Sequence, residues 1–163
     1  MKTRFLNNNN LIQVSDLLQI RKSYELNDDV SLLIGNRYQQ ELTEKSNRLF
    51  FLGFGADESP FGYVQLILKN ADNDPDLADG VEIAHVHDLR IRKDLQGSGF
   101  GQVLMNYLEE EAQMKGIKIL TLGVENCNTR ALNFYQRLGY VKFKESPGRN
   151  DDEVCYLMRK SLV

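Results

Sequence analysis

The chain has 163 residues, 42% of them hydrophobic, and a formal net charge of -3, which is the balance of an ordinary globular domain. This length suits one self-sufficient core, so we expect a single domain over residues 1–163. No stretch reaches the ~18 apolar residues of a membrane span, and the first residues lack the apolar core of a secretion signal. The sequence has no basic stripe of the kind that binds nucleic acid. We therefore expect a cytoplasmic protein that binds neither membranes nor nucleic acid. Two isolated cysteines, Cys127 and Cys155, indicate no metal site.

The predicted elements follow the order β-α-α-β-β-β-α-β-α-β-β, a mixed α/β arrangement. A strand at Arg4–Leu6 precedes two helices, over about 15–26 and 29–44, which Ser15 and Asp29 are expected to cap. Leu32, Leu33 and Leu42 are assigned to the apolar face of the second helix. The later elements are strands at 47–55, 61–68 and 81–92, a helix at 99–115, a strand at 117–124, a helix from about 129 to 138, and strands at 140–144 and 153–158.

A glycine-rich run, Gln96-Gly97-Ser98-Gly99-Phe100-Gly101-Gln102, joins the third long strand to the helix after it. Glycine lets the backbone approach a ligand, and the first amides of a helix are unpaired donors at a positive dipole end. Such a turn suits a phosphate or pyrophosphate. A dinucleotide fingerprint fails because Gln102 stands where a third glycine is needed, and the Gly-Lys-Ser/Thr of a P-loop is absent from the sequence. A tight turn without a ligand is the alternative.

The pattern that remains, Gln96-x-x-Gly99-x-Gly101, resembles the acetyl-CoA pyrophosphate loop of the GNAT superfamily of N-acetyltransferases. The element order is also similar to that of the GNAT fold over nearly the whole chain. The resemblance implies a mixed, mostly antiparallel central sheet flanked by helices on both faces. It implies that the turn binds acetyl-CoA and that the strand backbone pairs with the pantetheine arm. The implied cofactor-binding residues are Leu89, Ile91, Gln96, Gly97, Ser98, Gly99, Phe100, Gly101, Gln102 and Asn128.

His85 and His87 are the only histidines, and both lie on the strand that enters the glycine turn. Residues two apart in a strand point to one face, so both rings should project together. A pair beside an acyl-donor site favours a role as base, with a pKa near ~6.5, over two incidental polar residues. The strand also resembles that of arylalkylamine N-acetyltransferase, in which paired histidines at the matching positions serve amine deprotonation. Glu82 is a reserve base.

A second resemblance to the superfamily lies in Phe134-Tyr135-Gln136-Arg137-Leu138-Gly139-Tyr140. It implies that Tyr135 faces the sulfur of CoA and protonates the departing thiolate. Core packing is the alternative role for Tyr135, and a tyrosine can do both. The resemblance likewise assigns Asn128 to a hydrogen bond with the pantetheine arm, whereas its alternative role is to cap the helix that follows.

The function implied by these resemblances is transfer of an acetyl group from acetyl-CoA to a primary amine within one ternary complex. A small-molecule amine is favoured over a protein amine, and a homodimer remains open. A CoA-binding domain without turnover is the alternative. The acidic segment 72–79 could attract a cationic amine or simply form solvated turns. Phe51, Phe54 and Phe61 could line an acceptor pocket or pack in the core.

Overall fold

The computed structural model of the protein describes residues 2–24 and 27–163. The strands are β1 (Arg4–Leu6), β2 (Arg48–Phe54), β3 (Pro60–Ile67), β4 (Ile83–Ile91), β5 (Ile119–Glu125), β6 (Val141–Pro147) and β7 (Val154–Ser161). The helices are α1 (Val14–Lys22), α2 (Asp28–Thr43), α3 (Phe100–Met114) and α4 (Thr129–Arg137), and short 3-10 turns lie at Ala71–Asn73 and Lys93–Leu95. In the described part of the chain, no helix is long and apolar enough to cross a bilayer.

The strands form a seven-stranded sheet in the order β1-β2-β3-β4-β5-β7-β6. The pairs β1–β2, β2–β3, β5–β7 and β6–β7 are antiparallel, and β4–β5 is parallel. The mixed α/β architecture with a mostly antiparallel sheet is therefore confirmed. Contacts divide the chain into two compact units: residues up to Ile67 with Asp88–Leu108, and Leu68–His87 with Glu109–Val163.

The first unit is built around the β2–β3 hairpin and the helices α1 and α2. Leu17 and Ile20 of α1 and Tyr38 of α2 are fully buried in one apolar cluster with Phe50 and Tyr63. The three phenylalanines considered for an acceptor pocket, Phe51, Phe54 and Phe61, are each at most 7% exposed. This burial favours core packing over an acceptor pocket for the three rings.

Both predicted helix caps in this unit are wrong. Helix α1 begins at Val14, after an extended Gln13 whose side chain makes no capping bond, so Ser15 lies inside the helix. The cap of α2 is Asn27, whose Oδ1 accepts a hydrogen bond from the Val30 amide at 2.8 Å. Asp29 then falls in the first turn, where a negative charge suits the helix dipole. Residues 25–26, the predicted end of the first helix, lie outside the described residues.

The face of α2 is also rotated from the predicted one. Leu32 and Leu33 are 66% and 69% exposed, whereas Ile34, Tyr38 and Leu42 are buried at intervals of four residues. Leu42 is thus buried as predicted, and the buried stripe that contains it places Leu32 and Leu33 toward solvent. In α3, the spacing of Val103, Leu104 and Leu108 predicts one apolar face, and Val103 is 39% exposed whereas Leu104 and Leu108 are fully buried.

In the second unit, β5 pairs with β4 on one side and β7 on the other. The parallel register joins Ile83–His85 of β4 to Ile119–Thr121 of β5 and ends there. β5 continues against β7 as far as Glu125. Glycine is a typical helix stop, and Gly116 and Gly139, each two residues beyond the end of α3 or α4, have φ values of 85° and 97°.

Candidate active site

The glycine turn, residues 96–102, has the geometry of an anion-binding loop. Gly97 and Gly99 have φ values of 79° and 90°, which residues with a Cβ rarely adopt. Among the described residues, the amides of residues 97–102 donate no hydrogen bond to a backbone carbonyl. The next amide that does so is that of Val103, which donates to the Gly99 carbonyl at 3.1 Å. The intervening amides lie at the positive end of α3, which is 15 residues long. They are oriented by the fold and available to an anion.

Gln96 anchors this turn through contacts within the chain. Its Nε2 donates to the Tyr24 hydroxyl at 2.7 Å and to the Ile91 carbonyl at 3.3 Å. The Tyr24 hydroxyl donates to the same carbonyl at 2.5 Å. The Gln96 amide donates to the Lys93 carbonyl at 3.4 Å, so it is not among the unpaired amides. A pantetheine arm that paired with the Ile91 carbonyl would have to displace these two donors.

The two histidine rings lie 6.5 Å apart between centroids, at 30° to each other. His85 is only 6% exposed, whereas His87 is exposed. Burial, followed by the neighbouring charge of His87, lowers the pKa of His85 to about 4, and Asp72 and Asp74 only partly oppose this. This differs from the pKa of ~6.5 expected from the sequence. At neutral pH His85 is therefore an uncharged imidazole.

A short chain of hydrogen bonds holds His85 from inside the second unit. Its Nδ1 lies 2.8 Å from Oγ1 of Thr121, the residue opposite it in β5. The Thr121 hydroxyl in turn donates to the Leu77 carbonyl at 2.7 Å. Thr121 is fully buried and Leu77 is 2% exposed, so these groups face one another without competing water.

Asp88, next to His87, has an unusual backbone conformation within β4. Its φ is 55°, in the left-handed region. Its side chain is 5% exposed, and its Oδ1 accepts from Arg90 Nε at 2.9 Å. The other partners of the carboxylate are the hydroxyls of Tyr38 and Tyr63 at 3.2 and 3.3 Å, Gln65 Nε2 at 3.4 Å, Arg37 at 3.4 Å and Arg21 at 3.7 Å. This Asp88 cluster fixes the strand where it leads into the glycine turn.

Tyr135 and Asn128 lie on and before α4, in the second unit. Tyr135 is half-buried, with its ring 5.0 Å from that of Phe134 and 5.8 Å from that of Tyr140. Asn128 is the N-cap of α4, because its Oδ1 accepts from the Ala131 amide at 3.2 Å. Since capping uses the oxygen, a contact of Asn128 with a ligand would come from Nδ2.

The carboxylates of the acidic segment 72–79 have partners within the second unit. Asp74 and Asp76 both pair with Lys144, and that contact lowers the pKa of Asp74. Asp79 Oδ1 accepts hydrogen bonds from the amides of residues 81–83, each at 2.9 Å, and these lower the pKa of Asp79. These contacts favour the interpretation as structural turns over the attraction of a cationic amine.

The reserve base Glu82 is also paired. It lies just before β4, and its Oε1 is 2.8 Å from Lys118 Nζ, with both side chains about half exposed. Within residues 2–24 and 27–163, no three His, Cys, Asp or Glu side chains gather as a metal site requires.

Sequence reasoning missed two polar residues with buried side chains, Thr121 in the second unit and Asp88 in the first. Thr121 is a polar residue inside an apolar run, Ile119-Leu120-Thr121-Leu122, and Asp88 is an acid inside a long strand. A buried polar side chain requires partners, so each position could have been marked as a place where a hydrogen-bond network was to be expected.

Comparison with known proteins covers the region that contains the turn, the histidines and Tyr135. The sequence model described as the acetyltransferase (GNAT) family matches residues 13–140, which is most of the chain. The chain belongs to the GNAT acetyltransferase family.

The relatives of this GNAT protein carry acyltransferase names. It is similar to an uncharacterized N-acetyltransferase of Lactobacillus delbrueckii subsp. lactis, with 31% identity over 70% of this chain and 65% of the relative. It is also similar to the L-amino acid N-acyltransferase MnaT of Escherichia coli K12, with 32% identity over 42% of this chain and 40% of that protein. The matches thus span less than two thirds of either relative's length.

The fold of this GNAT protein is similar to that of solved acetyltransferases. The crystal structure of an aminoglycoside 6'-N-acetyltransferase complexed with coenzyme A superposes with a TM-score of 0.75, covering 100% of this chain and 98% of the other. The two sequences are 18% identical, so this likeness shows the fold alone.

Proposed function

We propose that this GNAT protein transfers an acetyl group from acetyl-CoA to a primary amine of a small molecule, by direct attack in a ternary complex. The observation that carries the proposal is the glycine turn, whose unpaired amides precede α3 in a chain of the GNAT family. The family match includes residues of both compact units, which supports one acetyltransferase domain over 1–163. Because Cys127 and Cys155 are both thiols, the proposal includes the reducing cytoplasm as the location.

The donor part of the proposal assigns the pyrophosphate of acetyl-CoA to the amides of residues 97–102. Gln96 anchors that loop, and the backbone of Leu89 and Ile91 with Asn128 Nδ2 would receive the pantetheine arm. The crystal structure of the similar aminoglycoside 6'-N-acetyltransferase contains coenzyme A, which supports this choice of donor. Tyr135 is assigned to the thiol end of the coenzyme.

The acceptor part of the proposal assigns proton removal to the histidine pair. An alkylamine has a pKa of about 10.4, so only about one molecule in a thousand is neutral at pH 7. His87, the exposed ring, takes the amine proton and passes it to water, while the neutral His85 orients the relay. The amine nitrogen attacks the thioester carbon, and the carbon–sulfur bond breaks. The thiolate takes a proton from Tyr135, a transfer that costs only about 2 kcal/mol between ordinary tyrosine and thiol groups. The Tyr135 oxygen regains a proton from the attacking nitrogen, which becomes the neutral amide.

The small-molecule acceptor is supported by the names of similar proteins. One is named as an L-amino acid N-acyltransferase and another as an aminoglycoside 6'-N-acetyltransferase. The paired histidines add the resemblance to arylalkylamine N-acetyltransferase, so an arylalkylamine belongs to the same set of candidates. The partners of the acidic segment do not favour a polycation within this set.

The test is a thiol-release assay with acetyl-CoA and a panel of amino acids, aminoglycosides, arylalkylamines, polyamines and a lysine-containing peptide. We expect acceptor-dependent release with at least one small amine, reduced about 100-fold or more in the double variant His85→Gln, His87→Gln. Glu82→Gln is the matched control and should act as wild type, because Glu82 pairs with Lys118 outside β4. Coenzyme binding without release for any amine would replace this proposal by that of a silent CoA-binding domain.

A further inference from the structure

We infer that Thr121 is a positioning residue, which holds His85 in the tautomer with its proton on Nδ1 and its lone pair on Nε2. The catalytic consequence rests on the proposed function, but the tautomer itself can be measured without turnover. The inference comes from the two hydrogen bonds that meet at one buried hydroxyl.

The direction of these hydrogen bonds is fixed at the Leu77 end. A carbonyl oxygen can only accept, so the Thr121 hydroxyl must donate its single proton to Leu77 at 2.7 Å. The hydroxyl oxygen then has only lone pairs to offer to His85 Nδ1 at 2.8 Å. Nδ1 must therefore be the donor, and it must carry the imidazole proton.

Burial makes this arrangement decisive for His85. Thr121 is 0% exposed and His85 is 6% exposed, so water is not available to satisfy a mismatched pair of acceptors. If the proton sat on Nε2 instead, either two lone pairs would face each other at hydrogen-bond distance, or the Thr121 hydroxyl would turn to His85 and leave the Leu77 carbonyl without this donor. Unsatisfied buried polar groups are strongly disfavoured, so the alternative tautomer is a minor state.

The chemical consequence lies at Nε2. Among the described residues, no protein group hydrogen-bonds to this atom, and in the assigned tautomer it carries a lone pair. His85 can therefore accept a hydrogen bond from a water or an amine at Nε2. The opposite tautomer would present an N–H donor at this atom and could not accept a hydrogen bond from the amine.

The tautomer is tested on the full chain by nitrogen NMR of its two imidazole rings at pH 7. His85 and His87 are the only histidines, and a His87→Gln variant assigns the signals. We expect His85 to show a protonated Nδ1 and an unprotonated Nε2 in the wild type and in Thr121→Ser, which keeps the hydroxyl. Thr121→Val keeps the shape and removes the acceptor, so we expect it to lose this pattern. A wild-type signal with the proton on Nε2 would overturn the inference.

The positioning role is tested by kinetics on the same variants. We expect Thr121→Val to lower kcat about tenfold with little change in the KM for acetyl-CoA, and Thr121→Ser to restore kcat. If Thr121→Val loses the tautomer and still turns over as wild type, the positioning role is refuted. Absence of turnover in the wild type would instead count against the proposed function, while the NMR result would still decide the tautomer.

Discussion

At the residue scale, His85 links the stability of the fold to pH. Its pKa is about 4 in the folded chain, where burial is the main cause, against about 6.5 for an imidazole in the unfolded chain. As the pH falls below 6.5, the unfolded chain binds a proton that the folded chain does not. The stability that the neutral His85 contributes is therefore fully present above about pH 6.5, and it is lost progressively as the pH falls toward 4.

This linkage predicts a loss of about 2 kcal/mol in the free energy of unfolding between pH 7 and pH 5. The variant His85→Gln has no titrating ring, so its stability should change less over the same range. Urea unfolding at pH 7, 6 and 5 measures both curves, and His87→Gln serves as the control that keeps the buried ring. The charges of His87, Asp72 and Asp74 also act on the pKa of His85, with a smaller effect than burial. Equal slopes in wild type and His85→Gln would contradict the linkage.

The same pKa predicts how the two histidines divide the pH dependence of catalysis. Because His85 is already neutral above about pH 5, it produces no acidic limb in kcat/KM between pH 5 and 8. We expect His87→Gln to remove such a limb, and His85→Gln to lower kcat/KM at every pH without moving it. Rate profiles of the two single variants distinguish these effects. An acidic limb that survives in His87→Gln would place the proton acceptor elsewhere.

At this scale, the sequence reveals the pair but not its environment. Two histidines two residues apart in a strand predict rings on one side, and the rings are indeed 6.5 Å apart. Their unequal burial depends on Thr121, more than 30 residues later in the chain, and on the segment around Leu77. A strand pattern does not contain that information.

At the scale of elements, the left-handed backbone of β4 at residue 88 coincides with a buried anion, the Asp88 carboxylate. A residue other than glycine at positive φ costs roughly 1 kcal/mol or more, and the Asp88 cluster offsets this cost. Arg21, Arg37 and Arg90 all approach the same carboxylate. The three guanidinium groups repel one another, and the negative charge of the Asp88 carboxylate offsets this repulsion.

We predict that Asp88→Asn lowers the free energy of unfolding by about 2–4 kcal/mol, because the arginines lose their buried counter-charge. Asparagine tolerates left-handed backbone, so the variant tests charge and not strain. Asp94→Asn is the matched control: Asp94 pairs with Arg92 at 2.7 Å but is 64% exposed, so its loss should lower the free energy of unfolding far less than Asp88→Asn does. Urea unfolding measures both, and equal effects would refute a special role for the cluster.

The helices show why the sequence predicts where a helix lies better than it predicts the cap of the helix or the face that is buried. The spans of α2 and α3 follow from apolar spacing and from the glycine stop at Gly116. The cap of α2 does not, because Asn27 and Asp29 are both good capping residues and only the backbone entry decides between them. Leu32 and Leu33 were assigned inward for their hydrophobicity, yet the stripe of Ile34, Tyr38 and Leu42 sets the rotation.

At the scale of the whole molecule, binding of coenzyme should raise the unfolding temperature. Free CoA at a hundred times its Kd adds about 2.7 kcal/mol to the stability of a protein that binds it only when folded. For a chain of this size that corresponds to a rise of about 5–10 °C in Tm. We predict that Gly99→Asp abolishes this rise, because it places an anion and a strained backbone where the diphosphate is proposed to bind.

Gly116→Asp supplies the control for this prediction. Gly116 also has positive φ, 85° against 90° for Gly99, and a Cβ at either position meets nothing within 4 Å. Both variants should therefore lower the Tm of the free protein similarly. Only Gly99→Asp should lose the response to CoA, as measured by thermal unfolding with and without the coenzyme. Retention of the full response in Gly99→Asp would place the phosphates outside the turn.

The fold as a whole was predictable because its order of elements and its glycine turn are local features of the chain. The mixed sheet and the family both agree with that expectation. The Asp88 cluster was not predictable, since its members come from residues 21, 37, 38, 63, 65 and 90 and meet only after folding. Long-range polar partners are set by packing, and one sequence gives no direct measure of them.

The place where the β4–β5 register ends has a consequence for hydrogen exchange. Beyond Thr121, β5 follows only β7, and in an antiparallel pair every second amide points away from its partner strand. Amides of that kind between Leu122 and Glu125 should exchange with deuterium much faster than those before Thr121. The last β4–β5 pair, His85 with Thr121, also carries the hydrogen bond between their side chains. The amides of β5 beyond this pair can therefore open to solvent while the imidazole stays in place.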